Sequence, residues 1–105
     1  MVFAGLHYDQ HYSVEHDRIA SLLSRNFPDV TCGLQGDSWI WITEGEHKVA
    51  LDTFTAMKHQ VKSVSACTLV DEVLAVLSQQ YKITVFTPPE PEAHEDSSAE
   101  PRCTD

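Results

Sequence analysis

The residues best suited to binding a metal lie in one short segment near the N-terminus. It holds His7, His11 and His16, with the carboxylates of Asp9 and Glu15 between them. Imidazole and carboxylate groups bind zinc or nickel when their donor atoms converge at about 2.0–2.2 Å. The pattern predicts His7 at a strand end, His11 in a loop and His16 in the first helical turn. This order allows a metal- or small-ligand site without requiring one, and solvent-exposed histidines are the simpler interpretation.

Residues that could act as nucleophiles or paired acids are more scattered. Cys32 and Cys67 have no histidine beside them in sequence, as an activated thiol would need, although the fold could bring one close. Asp37 and Asp52 flank a predicted hairpin, where loop polarity and strand-end capping are simpler roles than acid–base chemistry. The four glycines match neither nucleotide-binding pattern. We therefore predict a protein that is not an enzyme, with no catalytic residue and no cofactor.

Cysteine usage and hydropathy bear on the compartment. The three cysteines, Cys32, Cys67 and Cys103, are an odd number at wide spacing. This is neither a disulfide framework nor a zinc site built from thiolates. No apolar run approaches the roughly 20 residues that cross a bilayer, and the N-terminus lacks the basic flank of a signal peptide. The sequence predicts a cytoplasmic protein that does not contact a membrane.

The acidic charge is concentrated at the C-terminus. The chain carries a net charge of −9; residues 88–105 hold six acids and one base, which gives −5 and leaves −4 for residues 1–87. Such a chain repels phosphate backbones, so we expect no nucleic-acid partner. The acidic segment is typical of a solubilising extension, and binding of a basic partner is the alternative.

Both tryptophans lie in one predicted strand, residues 38–43. Side chains alternate along a strand, so Trp39 and Trp41 share one face while Ile40 and Ile42 share the other. Helices on a two-layer sheet cover only one face. Either pair could therefore lie under the helices.

The return strand favours one of these two arrangements. Val49 and Leu51 share a face, and we expect that face to meet the helices. If Ile40 and Ile42 also point there, the tryptophans lie on the open face, where an apolar patch suits a protein interface or a homodimer. The alternative is that a loop, the tail or the other helix covers the two indoles. Our leading hypothesis is a non-catalytic domain that acts by protein contact, through self-association or regulation of a partner.

The periodicity and turn residues predict the order of elements around this strand. The predicted helices are 14–26, capped by Ser13, and a second one opened by the capping-box pair Thr68 and Asp71. Two segments are left open. Residues 30–32 are a loop or a short strand, and residues 55–66 are a helix or a strand, with extended structure slightly favoured. The predicted strands are 2–8, 38–43, 48–54 and 81–87, with a turn at 44–47 and an end at Pro88–Pro89.

These elements indicate an α+β fold. We expect a two-layer sandwich with two helices on one face of a mainly antiparallel sheet. The ferredoxin-like βαββαβ order, with a possible extra strand, is the leading topology. Residues 1–87 form one domain, and the acidic residues 88–105 are predicted to be a disordered tail.

Two stretches carry a resemblance to known sequences. Residues 36–42 (GDSWIWI) and 51–62 (LDTFTAMKHQVK) resemble a small uncharacterised protein family of gammaproteobacteria. The resemblance covers residues 1–87. It implies a bacterial source and brings no activity and no site residues with it.

Overall fold

A computed structural model describes residues 1–91 of the 105-residue chain. These residues form six strands and two helices. In chain order the elements are β1 (Val2–His7), α1 (Tyr12–Asn26), β2 (Val30–Gln35), β3 (Asp37–Glu44), β4 (His47–Asp52), β5 (Gln60–Lys62), α2 (Thr68–Leu77) and β6 (Lys82–Glu90).

The six strands make one antiparallel sheet with the order β2-β3-β4-β5-β1-β6. Both helices pack against one face of it, through a single apolar core. The predicted α+β two-layer sandwich is confirmed. The sheet has two more strands than the four of a plain ferredoxin-like fold, and the additional strands, β2 and β5, lie in the segments where the sequence left a strand open. Within 55–66 only Gln60–Lys62 is a strand.

The β3–β4 hairpin decides which face of the Trp-bearing strand is buried. Ile40 pairs with Leu51 and Ile42 with Val49, and all four side chains are fully buried. Gly45 takes a positive φ of 62° in the turn, a conformation that glycine adopts at little steric cost. The predicted inward face of Val49 and Leu51 is confirmed, so the tryptophans point away from the core.

Both helices begin differently from the prediction. The N-cap of α1 is His11, whose Nδ1 accepts a hydrogen bond of 3.2 Å from the N–H of Ser13, so Ser13 lies inside the helix. The N-cap of α2 is Cys67, with no side-chain capping bond, so Thr68 is the first helical residue and the predicted capping box is wrong. Neither helix within residues 1–91 has the length and apolarity needed to span a bilayer.

The buried face of α1 also differs from the expected one. Val14 is 56% exposed, whereas Glu15 and His16 are buried. The apolar stripe is centred on Ile19, and the positions one turn before it are residues 15 and 16 rather than 14. The helix therefore directs two polar side chains into the interior, where they need hydrogen-bond partners.

The last strand continues beyond its predicted end. β6 runs through Pro88 and Pro89 to Glu90, which pairs with Val2. Both prolines lie where the pairing with β1 shifts register, between Val85 opposite Ala4 and Glu90 opposite Val2. Proline is compatible with such an irregular stretch of an edge strand because no regular ladder N–H is needed there. The folded region thus extends three residues past residue 87. The remainder of the predicted tail, from residue 92, lies outside the described residues.

Candidate functional site

The two tryptophans lie side by side on the sheet face opposite the helices. Their ring centroids are 4.6 Å apart and the ring planes are inclined by 41°. Trp41 is 37% exposed and Trp39 is half-buried. No element of residues 1–91 covers this pair completely, so the sheet presents indole surface to solvent.

Trp39 owes its position to a glycine on the neighbouring strand. Gly33 of β2 is its direct partner across the β2–β3 pairing. A Cβ atom built on Gly33 would lie 2.5 Å from Cζ2 of Trp39, far inside van der Waals contact. The missing side chain at position 33 therefore makes the space in which the indole lies flat against the sheet.

A lysine completes the aromatic patch. Lys48, on β4, places its Nζ 4.2 Å from the centroid of the Trp41 ring. This distance is within the range of a cation–π contact. Burial lowers the pKa of Lys48 below its usual value. We call Trp39, Trp41 and Lys48 the tryptophan patch.

A buried ion pair lies next to this patch on the same sheet face. Lys62 Nζ is 2.6 Å from Oδ1 of Asp52, and Asp52 pairs across the strands with Trp39. The N–H of Phe54 also donates to that carboxylate, at 3.3 Å. The two charges are largely withdrawn from water and compensate one another. The patch is thus apolar, with one aromatic-stacked cation, and the neighbouring charges are paired.

A second feature is a chain of polar side chains at one end of the sheet. His16 Nδ1 lies 2.6 Å from Ser38 Oγ, and that oxygen lies 2.7 Å from His59 Nε2. His59 Nδ1 in turn lies 2.7 Å from the Tyr8 hydroxyl. We call Tyr8, His16, Ser38 and His59 the histidine cluster. It joins α1 to the start of β3, the residue before β5 and the residue after β1.

One proton arrangement accounts for the four hydrogen bonds that join the members of the cluster. The backbone N–H of His59 donates to the Tyr8 hydroxyl oxygen at 3.0 Å, which leaves the Tyr8 proton for His59 Nδ1. His59 Nε2–H can then donate to Ser38, and the Ser38 proton to His16 Nδ1. Burial, assisted by the nearby His16, lowers the pKa of His59 to about 4, so this ring is neutral at pH 7. Burial raises the pKa of Tyr8 to about 12.

A carboxylate beside the cluster is also satisfied. The Tyr81 hydroxyl donates to Oε1 of Glu15 at 2.8 Å, and Arg18 lies 3.8 Å from the same oxygen. Burial, with the hydrogen bond to Glu15, raises the pKa of Tyr81 above its usual value. The rings of Tyr8 and Tyr81 meet edge-on, with centroids 6.2 Å apart. Glu15 is thus buried with partners.

A serine hydroxyl beside an imidazole is also the pairing used in nucleophilic catalysis. Ser38 and His59 have suitable contact geometry, but both are fully buried. A reacting carbon would have to come within about 3 Å of the Ser38 oxygen, and that oxygen is enclosed between two imidazoles. In the structure these contacts join α1 to the start of β3 and to the residue before β5.

The three histidines predicted as metal ligands have separate surroundings. His7 Nε2 lies 2.5 Å from Thr84 Oγ1, His11 caps α1, and His16 belongs to the histidine cluster. Within residues 1–91 no group of three or more histidine, cysteine or acidic side chains could hold a metal ion. Cys32 is exposed and Cys67 is partly buried, and both are free thiols.

Sequence reasoning did not find the histidine cluster. Its members come from four separate segments, and the Ser38–His59 and Tyr8–His59 contacts span 21 and 51 residues. Ser38 is the first residue of the predicted strand 38–43, and His59 lies in the ambiguous segment 55–66. The only available signal was the count of six histidines in a short chain.

Comparisons with known proteins supply no template for either feature. The chain matches no protein-family model, no curated protein and no solved structure. The resemblance to a bacterial family therefore stays a prediction. The tryptophan patch and the histidine cluster are the features of the described residues that bear on function.

Proposed function

We propose that this chain is a non-catalytic domain that acts by protein contact through the tryptophan patch. The observation that carries the proposal is the pair of adjacent indoles on the open face of the sheet, with Trp41 37% exposed. Aromatic side chains are enriched at protein interfaces and supply many of the residues that dominate binding energy. The occupant is a protein partner or a second copy of the chain.

The patch is organised before binding. Trp39 lies against Gly33, and Trp41 lies between Trp39 and Lys48. Side chains that are already held lose less conformational entropy on association. A partner surface that places an apolar side chain on the indoles and a carboxylate near Lys48 would fit both parts of the patch. Such a partner is a protein with an apolar, locally acidic surface.

Other partner classes have less support. A base-stacking surface for RNA would need several cations beside the indoles. Lys48 is one such cation, but Lys62 is paired with Asp52 and the chain is acidic overall. The metal-binding alternative gains no support from the separate surroundings of His7, His11 and His16. We place the protein in the cytoplasm, an assignment supported by the free thiols of Cys32 and Cys67.

The test uses the fact that Trp39 and Trp41 are the two tryptophans of the chain. Intrinsic tryptophan fluorescence therefore reports on the patch alone. Wild type, Trp41→Ala and Phe54→Ala serve as baits for affinity capture, since Phe54 is an exposed aromatic outside the patch. We expect Trp41→Ala to lose a partner that wild type and Phe54→Ala retain. The purified partner should protect wild-type fluorescence from acrylamide quenching.

Self-association through the patch gives a different result in the same assay. Quenching by acrylamide should then increase on dilution of wild type alone. The proposal is wrong if the three baits recover the same proteins equally and quenching is also independent of concentration.

A further inference from the structure

The two edges of the sheet are chemically different. β2 forms one edge, and among the described residues no hydrogen bond joins its outer side to another element. Its sequence, VTCGLQ, contains no charged residue and no proline. The opposite edge, β6, carries Lys82, Pro88 and Pro89, which are residue types that natural proteins use to block edge pairing. Of the two edge strands of residues 1–91, β2 is therefore the one without residues that oppose pairing with another strand.

The register of β2 against β3 shows which backbone groups point outward. Thr43 N–H donates to the carbonyl of Asp29 at 3.1 Å, so these two residues form a hydrogen-bonded pair. Such pairs alternate along an antiparallel ladder, and the β2–β3 register has no shift. Residues 31, 33 and 35 therefore bond to β3. Val30, Cys32 and Leu34 direct their N–H and C=O groups to the free edge.

We propose that a second copy of the chain pairs with this edge, β2 against β2 in antiparallel orientation, with the twofold axis at Cys32. Val30 then lies opposite Leu34 of the second copy, and Cys32 lies opposite its own counterpart. This register uses every outward N–H and C=O group of the three residues. A shift by two residues in either direction leaves some of them unpaired. The two six-stranded sheets become one continuous sheet.

The side chains at this edge suit the same register. Val30, Cys32 and Leu34 share the face of Ile40 and Ile42, because Cys32 pairs with Ile40 and Val30 with Ile42. Leu34 is 41% exposed and packs on half-buried Val30 of the second copy in the pairing. Although the chain carries a net charge of −9, none of it lies on β2, so no like charges meet along the paired strands.

The first test uses Cys32 as the sole thiol, in a Cys67→Ser, Cys103→Ser variant. Hydrogen-bonded antiparallel partners have Cα atoms about 5.5 Å apart, within the range of a disulfide. Diamide, a two-electron thiol oxidant, accepts the two protons and two electrons released as the S–S bond forms. We expect a covalent dimer. The control, Thr31→Cys with Cys32→Ser in the same background, places the thiols on diagonal positions about 7–8 Å apart and should react at least tenfold more slowly.

The second test measures mass in solution by sedimentation equilibrium. Leu34→Lys adds a charge to the open edge, and Val85→Lys, at a residue 51% exposed on β6, is the matched control. We expect wild type, Val85→Lys and Trp41→Ala to form dimers, and Leu34→Lys to raise the dissociation constant at least tenfold. A monomeric wild type, or equal effects of the two lysines, would overturn the edge pairing. Loss of dimer in Trp41→Ala alone would instead assign self-association to the tryptophan patch.

Discussion

The imidazole of His59 lies 2.7 Å from the hydroxyl of Ser38, a residue 21 positions earlier in the chain, and both are fully buried. Through that hydroxyl His59 is also joined to His16 on α1. One serine oxygen thus connects the helix layer, the start of β3 and the residue that precedes β5. The integrity of this end of the sheet should depend on that oxygen and on the protonation of His59.

Removing the shared hydroxyl should be costly. Ser38→Ala leaves a ring nitrogen of His16 and one of His59 without a partner in a buried site. Each unsatisfied buried group costs about 1–3 kcal/mol. We expect the midpoint of urea unfolding to fall clearly for Ser38→Ala, while Ser24→Ala, on the exposed side of α1, changes the free energy of unfolding by less than about 0.5 kcal/mol. Equal midpoints for the two variants would contradict a structural role of the cluster.

Stability should fall on acidification through a window set by His59. Its pKa is about 4 in the folded chain against 6.5 when unfolded, so the unfolded state binds more protons between these values. The contribution of His59 to the free energy of unfolding is therefore constant above about pH 6.5 and falls as the pH decreases from 6.5 to about 4. The pKa difference corresponds to about 3 kcal/mol.

Carboxylates also titrate in part of that window. The change in the free energy of unfolding with pH is therefore compared between two proteins. Urea unfolding of wild type and His59→Gln is compared at pH 7 and pH 4.5. We expect wild type to lose more free energy of unfolding between the two pH values than His59→Gln. The same loss in both proteins would show that burial of His59 does not control the acid response.

The ion pair beside the tryptophan patch should be sensitive to loss of one member. Lys62→Met leaves the Asp52 carboxylate buried without its cation, which in comparable sites costs about 3–5 kcal/mol. Replacing both residues, with Lys62→Met and Asp52→Leu, should recover much of that loss. Thermal and urea unfolding measure the effect, with exposed Lys82→Met as the control. A single variant as stable as the double one would contradict the prediction.

A methyl group at Gly33 should disturb Trp39 specifically. The new Cβ of Gly33→Ala would lie 2.5 Å from the indole, whereas in Gly5→Ala the nearest side-chain atom, on Phe86, lies at an ordinary 3.9 Å. We expect Gly33→Ala to lower the free energy of unfolding by about 1–3 kcal/mol and to change the near-ultraviolet circular dichroism of the paired indoles. Gly5→Ala should leave that spectrum unchanged. An unaltered spectrum in both would show that the indole does not lie on Gly33.

The sequence predicted those parts of the fold that depend on local pattern. Alternation along residues 48–52 was sufficient to place Val49 and Leu51 inside. In the Trp-bearing strand it left both faces possible, and the pairing of Ile40 with Leu51 and of Ile42 with Val49 decides which one is buried. β5 was ambiguous because a three-residue strand has too little periodicity of its own. Its structure follows from pairing with β4 on one side and β1 on the other.

The histidine cluster and the last residues of β6 depend on residues that are close in space but distant in the sequence. A buried His16 is intelligible only once Ser38 lies beside it, and no local pattern relates the two. Proline is ordinarily a reason to end a strand, but Pro88 and Pro89 are compatible with an edge, and edge position is a property of the whole sheet. Both features are decided by topology.

The prolines of β6 also set a limit on growth. If β2 of one copy pairs with β2 of another, the edge strands of the combined sheet of residues 1–91 are the two copies of β6. Each of them carries Pro88 and Pro89. A third copy would have to pair with one of these edge strands. The proposed dimer would therefore not extend to further copies, because an isologous contact closes where a head-to-tail one would extend into a fibre.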